Sequence, residues 1–266
     1  NLGAINVTSL TFPRSLNLIS GEQWEETVYV SLISSIGPSV VDYIQHIVET
    51  YTDKTVNASN FSTIKAKLQS GGEELYPADF CTFERPDALE EIRRTAWEAR
   101  LGVLLVNDEI FLKYLAEEPT QDTTLGEADF ELDSLTIEYT RTEELVTVLT
   151  STYKNDYLEL ESGDKEPMII LRHNVKKYGA HQSEEFFHIY TNRELVLKSA
   201  TFWLIRYSNT WKKVSVKAFH SRLNVDTLDT ILLQLSSAFV ADVDVKCIVE
   251  QAVYDSASNI IDFTLH

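Results

Sequence analysis

The chain has 266 residues, with 44% hydrophobic and 11% aromatic side chains and only 9 Gly and 6 Pro. This composition is typical of a folded protein, and it argues against disorder and against a glycine-rich cofactor loop. The formal net charge of −18 argues against nucleic-acid binding as the main function, and no apolar run reaches the roughly 18 residues that would span a bilayer.

The first 36 residues predict β-structure, because apolar and polar side chains alternate over residues 28–32. Gly37-Pro38 ends this segment, and Ser39 is suited to cap a helix. That helix is predicted from an apolar stripe, which consists of Val40, Tyr43, Ile44, Ile47, Val48 and Tyr51.

Two more helices and a β-hairpin are predicted next. The first helix begins after Asn57, ends at Gly71-Gly72 and turns three apolar residues inward: Phe61, Ile64 and Leu68. Pro86 lies near the first turn of the following helix, whose inner stripe is predicted to be Leu89, Ile92, Ala96 and Ala99, with Trp97 beside it. Asn107-Asp108 then joins two runs rich in Val, Ile, Leu and Phe, which is the pattern of a hairpin.

The rest of the chain is predicted to consist mainly of strands. The polar, acidic stretch 116–133 indicates a linker or an exposed loop. Strand patterns follow at 135–139, 146–150, 168–171, 186–190, 230–235, 245–249 and 260–265.

One long helix, at about residues 192–208, interrupts these strands. Either Asn192 or the pair Thr191 and Glu194 can cap it. Its apolar stripe is predicted to be Val196, Ala200, Trp203, Leu204 and Tyr207. Ser208-Asn209 ends the helix, and from Trp211 the period becomes two, which places Val214, Val216 and Ala218 on one side of a strand.

The elements together predict an α+β protein, in which mixed α/β inserted domains accompany an antiparallel β-sheet or barrel. The predicted domains are an N-terminal β segment over residues 1–37, an α/β domain over 38–118, and a β-rich domain over 119–266. The α/β domain is expected to pack its third helix on the hairpin. The chain starts without Met and ends inside a strand pattern, which suggests a segment of a longer polypeptide.

Residue chemistry points away from catalysis. Motifs for phosphate binding, dinucleotide binding, zinc hydrolysis and a serine nucleophile are missing from the sequence. His173, His181 and His188 fall within 16 positions around Glu184-Glu185, but their predicted places on loops and a strand do not suit a metal site. Cys81 and Cys247 are interpreted as free thiols. No catalytic residue, cofactor or metal is therefore predicted.

The charge is unevenly distributed along the chain. Residues 1–164 hold 11 Lys and Arg against 30 Asp and Glu, a net charge of −19, whereas residues 165–222 hold 11 against 4, a net charge of +7. Residues 223–266 return to −6, with 1 basic residue against 7 acidic ones. The basic segment is either an ordinary solvated face or a surface for an acidic neighbour.

Several segments, taken in order, resemble one protein family. They are ERPDALEEIRRTAWEARLGVLLVNDEIFLKYLAEEPT at 84–120, TRTEELVTVLT at 140–150, ILRHNVKKYG at 170–179, KSATFWLIRYSNTWKKVSVKAF at 198–219, LNVDTLDTILL at 223–233 and IVEQAVYDSASNIIDFTL at 248–265. This succession resembles the hub, or tail-tip, proteins of tailed bacteriophages and related contractile injection machines. The resemblance covers most of residues 38–266 and supplies no catalytic residues.

The resemblance implies a structural role in the virion. Proteins of this family form homotrimers around the tail axis, where they join the tail tube and distal tail proteins to a central spike or fibre. The implied location is the tail tip or baseplate, assembled in the bacterial host cytoplasm. An acidic chain would suit a channel through which DNA passes without binding.

Five lysines are candidate inter-subunit contacts, because they give the basic segment much of its charge: Lys176, Lys177, Lys212, Lys213 and Lys217. Two alternatives to the structural role stay open. One is a receptor- or carbohydrate-binding module of a tail tip, for which Trp24 and Trp211 would be the exposed aromatic residues. The other is a tail-associated cell-wall hydrolase.

Overall fold

The computed structural model describes residues 18–19, 23–24, 36–80, 87–153, 167–183, 185–234 and 244–266. The chain divides into two units, Asn1–Ser35 and Ile36–His266. In the first unit, strands β1 (Leu18–Ile19) and β2 (Gln23–Trp24) form an antiparallel pair. Three features of the sequence analysis lie outside the described residues: the alternation at 28–32, Cys81 and Pro86.

The second unit opens with two capped helices. In α1 (Val40–Tyr51), Ser39 accepts a hydrogen bond from the Val41 N–H, and the Asp42 carboxylate accepts one from the Ser39 N–H. Asn57 caps α2 (Ala58–Lys67), which turns Phe61 and Ile64 into the core. The short strand β3 (Thr55–Val56) lies between the two helices. Gly71-Gly72 forms the turn between β4 (Gln69–Ser70) and β5 (Glu73–Glu74), just beyond the end of α2.

The predicted hairpin follows the third helix, α3 (Ala88–Glu98), which Asp87 caps. Its strands are β6 (Leu101–Val106) and β7 (Glu109–Tyr114), and β3 joins β7 in parallel to give a three-stranded sheet. Asn107 and Asp108 have φ angles of 50° and 67°, as a two-residue hairpin turn requires. The hairpin prediction is therefore confirmed.

A second three-stranded sheet lies against the long helix. Its central strand β10 (Val148–Tyr153) pairs with β11 (Met168–Arg172) on one side and β12 (Phe186–His188) on the other. The short helix α4 (Val175–Tyr178) precedes β12, and α5 (Arg193–Tyr207) follows it, capped by Asn192. A small core forms where Leu149 of β10 meets Ala200 and Leu204 of α5.

The largest sheet has six strands in the order β8-β14-β15-β16-β13-β9. The members are β8 (Thr123–Gly126), β9 (Thr136–Tyr139), β13 (Lys212–Phe219), β14 (Thr230–Gln234), β15 (Asp244–Asp255) and β16 (Ile260–Leu265). The long strand β15 pairs first with β14 and then with β16, with an irregularity between Val249 and Gln251. The described residues also include four 3-10 turns: Glu127–Asp129, Leu132–Ser134, Thr142–Glu144 and His220–Arg222.

The predicted α+β class is confirmed, and the large sheet is open. Its edge strands β8 and β9 do not pair with each other in the described part of the chain, so no closed barrel forms there. The inward side chains Val214, Val216 and Ala218 are buried, as the alternation predicts. The domain boundaries at residues 37 and 118 stay predictions.

Several local predictions are wrong. Tyr51 and Tyr207 were predicted to belong to the apolar stripes of α1 and α5, but each is the last residue of its helix and they are 69% and 38% exposed. The stretch 116–133 is not simply a linker, because β8 pairs in parallel with β14 and its Leu125 is fully buried. Leu89 is 49% exposed rather than part of the inner stripe of α3, because Glu91, Ile92 and Thr95 take the buried face. A carboxylate can occupy that face because Glu91 accepts a hydrogen bond from the Tyr43 hydroxyl at 3.0 Å.

Candidate functional site

A half-open groove of about 1020 Å³ runs beside α5. The helix contributes residues from Glu194 to Tyr207, and the remaining lining comes from residues 117–119, from Thr230 of β14 and from residues 246–248 of β15. Trp211 and His266 also line it. The groove is therefore built between a helix and the largest sheet, from elements that are far apart in sequence.

The groove exists because α5 has apolar side chains on every side. Val196, Ala200 and Leu204 are buried, and so is Phe202 on another face. Ile205 is 45% exposed in the groove. A helix that is apolar all round is suited to be covered on all sides. One face of α5 is thus left without a complete cover by the described residues.

Two guanidinium groups enclose the Phe202 ring. The Arg100 Cζ lies 4.0 Å from the ring centroid and the Arg206 Cζ lies 4.6 Å from it. Arg100 is only 2% exposed, and it is neutralised by Glu117 at 3.0 Å and by hydrogen bonds to the Leu115 carbonyl. For Arg206, no carboxylate lies within ion-pair distance in the described part of the chain. Stacking of cations on an aromatic ring holds this arrangement in place.

The groove carries charges of both signs, because Lys198, Arg206 and Lys246 line it together with Glu117, Glu118 and Glu194. Lys198, Phe202 and Arg206 lie four residues apart, so they share one face of the helix. Burial lowers the pKa of Arg206 and of Lys198, and repulsion from Arg100 lowers both further. Lys246 adds a third cation, which donates a hydrogen bond to the Pro119 carbonyl at 3.4 Å.

The five predicted contact lysines lie on two elements. Lys176 and Lys177 are exposed on α4, where Lys177 Nζ sits 4.6 Å from the Tyr178 ring centroid. The other three lie on β13, and of these Lys213 already binds Glu250 of the same chain at 3.0 Å. Tyr178 contacts Thr210 at 3.3 Å between the two hydroxyl oxygens, so α4 adjoins the start of β13. The role of these lysines in subunit contact stays a prediction.

Sequence analysis missed the cations of the groove. Lys198, Arg206 and Lys246 are not among the five candidates, which were taken from the lysines of residues 176–177 and 212–217 alone. The available signal was the spacing of Lys198, Phe202 and Arg206, which puts two cations and a ring on one helix face.

The three neighbouring histidines do not form a site. His173 hydrogen bonds to the Ser208 hydroxyl at 2.7 Å, and His181 binds the Tyr178 carbonyl at 2.8 Å. His188 lies 3.4 Å from Glu98, but the two side chains are 0% and 1% exposed and out of reach of a polymeric substrate. Among the described residues, no group of three or more metal-binding side chains is found.

The exposed-tryptophan interpretation gains no support from Trp211. Its indole N–H donates to the Arg206 carbonyl at 2.6 Å, and its ring packs beside His266 at 5.8 Å. The side chain is therefore tied to the end of α5. The Trp24 side chain lies outside the described residues. Within the described ranges, no helix is long and apolar enough to cross a membrane.

No family model and no curated protein matches the chain. Its fold is similar to that of the tail protein from Neisseria meningitidis MC58, with a TM-score of 0.52, 9% identity, and coverage of 87% of this chain and 68% of that chain. The 43 kDa tail protein of prophage MuSo2 from Shewanella oneidensis gives a TM-score of 0.52, 10% identity, and coverage of 86% and 66%.

A chain in the virion of a native gene transfer agent particle gives a TM-score of 0.49 and 12% identity. The match covers 68% of this chain but only 39% of the chain from the gene transfer agent particle. Identities this low establish the fold alone. At the level of fold, the predicted resemblance to phage tail proteins is confirmed.

Proposed function

We propose that this protein is a structural component of a phage tail and acts as the hub at its distal end. Three copies form a ring around the tail axis. The ring joins the tail tube and distal tail proteins to a central spike or fibre and lines the channel through which DNA passes. The protein works by assembly and not by catalysis.

The observation that carries this proposal is the shared fold. The two tail proteins with TM-scores of 0.52 match over 87% and 86% of this chain, so the likeness takes in its helices and its sheets. A fold supports many functions, and the site has to be consistent with the role. Here the site is a groove lined by apolar side chains and by charges of both signs, without a group of catalytic or metal-binding side chains among the described residues.

The net charge supports a place beside the DNA channel. With −18 on the whole chain, the protein repels the phosphate backbone instead of holding it. A lumen that attracted DNA would slow its passage. The cations of the groove do not conflict with this, because three carboxylates, those of Glu117, Glu118 and Glu194, line the same groove.

Cryo-electron microscopy of the intact tail tests the proposal. The expected result is density for three copies of this chain around the axis, between the tube and the spike or fibre. Density away from the axis, or any other copy number, would refute the hub role. An enzymatic role would instead be supported by release of soluble fragments from peptidoglycan by the purified chain.

A further inference from the structure

We propose that the groove beside α5 is a cleft between two separately packed bodies, and that a latch at one end of the cleft controls how far it opens. The latch consists of Gly102 and Lys113 of the β6–β7 hairpin, which hold Leu228 and Asp229 of the turn before β14. The inference goes beyond the hub role and does not depend on it, because every contact lies within one chain.

The buried apolar side chains in the described part of residues 36–266 fall into two groups without a shared member. The first group joins α5 to the helices α1–α3, the hairpin and the small sheet β10–β12, and we name these elements the helical body. The second group lies in the six-stranded sheet, which we name the sheet body. Both belong to one compact unit. Each body has its own core, so their relative position is determined by the contacts between them.

The groove follows the boundary between the two bodies. On the helical body its wall is α5, and on the sheet body its wall is formed by Thr230 of β14 and residues 246–248 of β15. Thr230 pairs with Ile248, and the Ile248 N–H donates to the His266 carbonyl at 2.8 Å. The wall on the sheet body therefore crosses several strands, from β14 at one end to the end of β16.

Two chain crossings tie the bodies together at the far end of this wall. Residues 140–147 run from β9 to β10, and residues 208–211 run from α5 to β13. The Val146 N–H of the first crossing donates to the Tyr207 carbonyl at 3.0 Å, and Trp211 of the second lines the groove. This end acts as the hinge of the cleft, because the backbone joins the bodies twice there.

At the β14 end, Leu228 of the sheet body lies against Gly102 of the helical body. A Cβ atom at Gly102 would overlap Cδ1 of Leu228 and come within 3.4 Å of its Cγ. Only glycine therefore leaves room for the leucine at this point of β6. The Leu228 N–H donates to the Val249 carbonyl at 2.7 Å, which fixes the leucine to β15.

The turn that carries Leu228 is strained. The Asp229 N–H donates to the Asp226 carbonyl at 3.1 Å and closes a four-residue turn, whose third residue, Leu228, has a φ of 69°. Turns with a positive φ at this position favour glycine or asparagine. A strained residue persists only where its surroundings enforce the conformation. The contact with Gly102 gives the leucine side chain a role that glycine could not fill.

A charge contact accompanies the leucine. Gly102 and Lys113 are directly paired across the hairpin, so they share one face of it. Lys113 binds Asp229, the residue after Leu228, and it binds Asp122 of the third chain crossing at 2.9 Å. One cross-strand pair of the hairpin thus holds two consecutive residues of the sheet body. When this latch opens, the cores of both bodies stay intact and the wall on β14 and β15 moves away from α5, which is a local opening and not unfolding.

Hydrogen exchange of the full chain, followed by mass spectrometry, tests the latch. Gly102→Ala adds a methyl group where the Leu228 side chain lies. Leu228→Ala removes the atoms that this methyl group would meet, and a double variant combines both changes. The control is Gly126→Ala on the edge strand β8, because a Cβ there lies 3.7 Å from its nearest neighbour, an Asp129 oxygen. Circular dichroism checks that every variant is folded.

Gly102→Ala should accelerate exchange about tenfold in peptides covering 226–232 and 246–249, because the latch can no longer close. Peptides from the cores of the two bodies, 40–51 and 260–265, should change less than about twofold. With Leu228→Ala already present, Gly102→Ala should change exchange at 246–249 less than about twofold, because the two side chains no longer conflict. The control should match the wild type.

Leu228→Gly separates the latch from an ordinary strained turn. Glycine adopts a positive φ without strain, so a leucine that served only the turn would, once replaced, leave slower exchange at 246–249. The latch predicts the opposite sign, with exchange there about tenfold faster, because the contact with Gly102 is lost.

Three results would overturn the proposal: exchange at 246–249 that Gly102→Ala leaves unchanged, the same acceleration when Leu228→Ala is present, or slower exchange in Leu228→Gly. Equal acceleration in every peptide, including those of the two cores, would show global destabilisation and would also refute it. If Gly102→Ala does not fold, the sign of the change in Leu228→Gly decides. The copy number in the tail has no bearing on any of these results.

Discussion

Replacement of Trp97 tests the packing between α3 and α5. The Trp97 ring stacks on Trp203 at 5.1 Å between centroids, with an interplanar angle of 6°, and on Phe186 at 5.3 Å and 19°. The Trp203 indole N–H also donates to the Trp97 carbonyl at 3.1 Å. Trp97→Ala would remove from this column the ring between Phe186 and Trp203, although Trp203 would keep its stacking on Tyr207 at 5.8 Å.

The structure sets the size of the effect. A buried Trp→Ala change costs about 3–5 kcal/mol, and each aromatic pair contributes about 0.5–1.5 kcal/mol beyond burial. Trp97 loses two such pairs but is only half-buried, so the lower end of the range applies. We expect a loss of about 3 kcal/mol in the free energy of unfolding, or about 6–12 °C in Tm for a unit of this size.

Urea unfolding followed by circular dichroism measures this loss without depending on tryptophan fluorescence. Trp97→Phe keeps one stacked ring and should cost about 1 kcal/mol. Trp211→Ala is the matched control, because that ring is more exposed and lies outside the column, and it should cost at most about 1 kcal/mol. A Trp97→Ala midpoint within error of wild type would refute this account of the packing between α3 and α5.

Three further predictions concern single contacts. Asn60→Ala should cost about 2 kcal/mol in urea unfolding, because its amide exchanges two hydrogen bonds with Leu112 of β7, beyond the residues of β7 that pair with β3; a cost below about 0.5 kcal/mol would contradict this. Lys113→Met should cost about 1–2 kcal/mol and make stability less sensitive to salt, since Lys113 binds both Asp122 and Asp229. Burial opposes ionisation of Asp122, but the Thr230 N–H and Lys113 outweigh it and lower its pKa below 3.8. Ionised Asp122 therefore stabilises the folded protein fully above the pKa that this carboxyl has in the unfolded chain, and the stabilisation is lost as pH falls through its pKa in the folded protein. With Asp122→Asn, the free energy of unfolding should decrease less steeply as the pH is lowered.

The helix starts and the hairpin were predictable because their signals are local. Ser39 and Asn57 each supply the side-chain oxygen that the first turn lacks, and both cap the helices that follow them. The inward residues Phe61, Ile64 and Leu68 are 2%, 4% and 0% exposed. None of these outcomes depends on residues far away in sequence.

The failures depend on long-range pairing. Strand β8 has only one large apolar residue, Leu125, and becomes a strand because β14, more than 100 positions later, pairs with it. Trp97 was expected to lie near the hairpin that α3 covers, but its ring packs on Phe186 and Trp203, which belong to elements beyond residue 180. The periodicity of apolar residues predicts which side of a helix is buried. The element that packs on that side is determined by the tertiary structure.

The candidate site, too, was only partly predictable from the sequence. The bias of residues 165–222 towards positive charge pointed to a contact surface, but it could not separate the exposed lysines of α4 from the half-buried cations of α5. That distinction depends on Arg100, which follows α3 and lies 4.0 Å from the centroid of the Phe202 ring. Sequence alone places Arg100 in the acidic half of the chain, about 100 positions from the residue that it contacts.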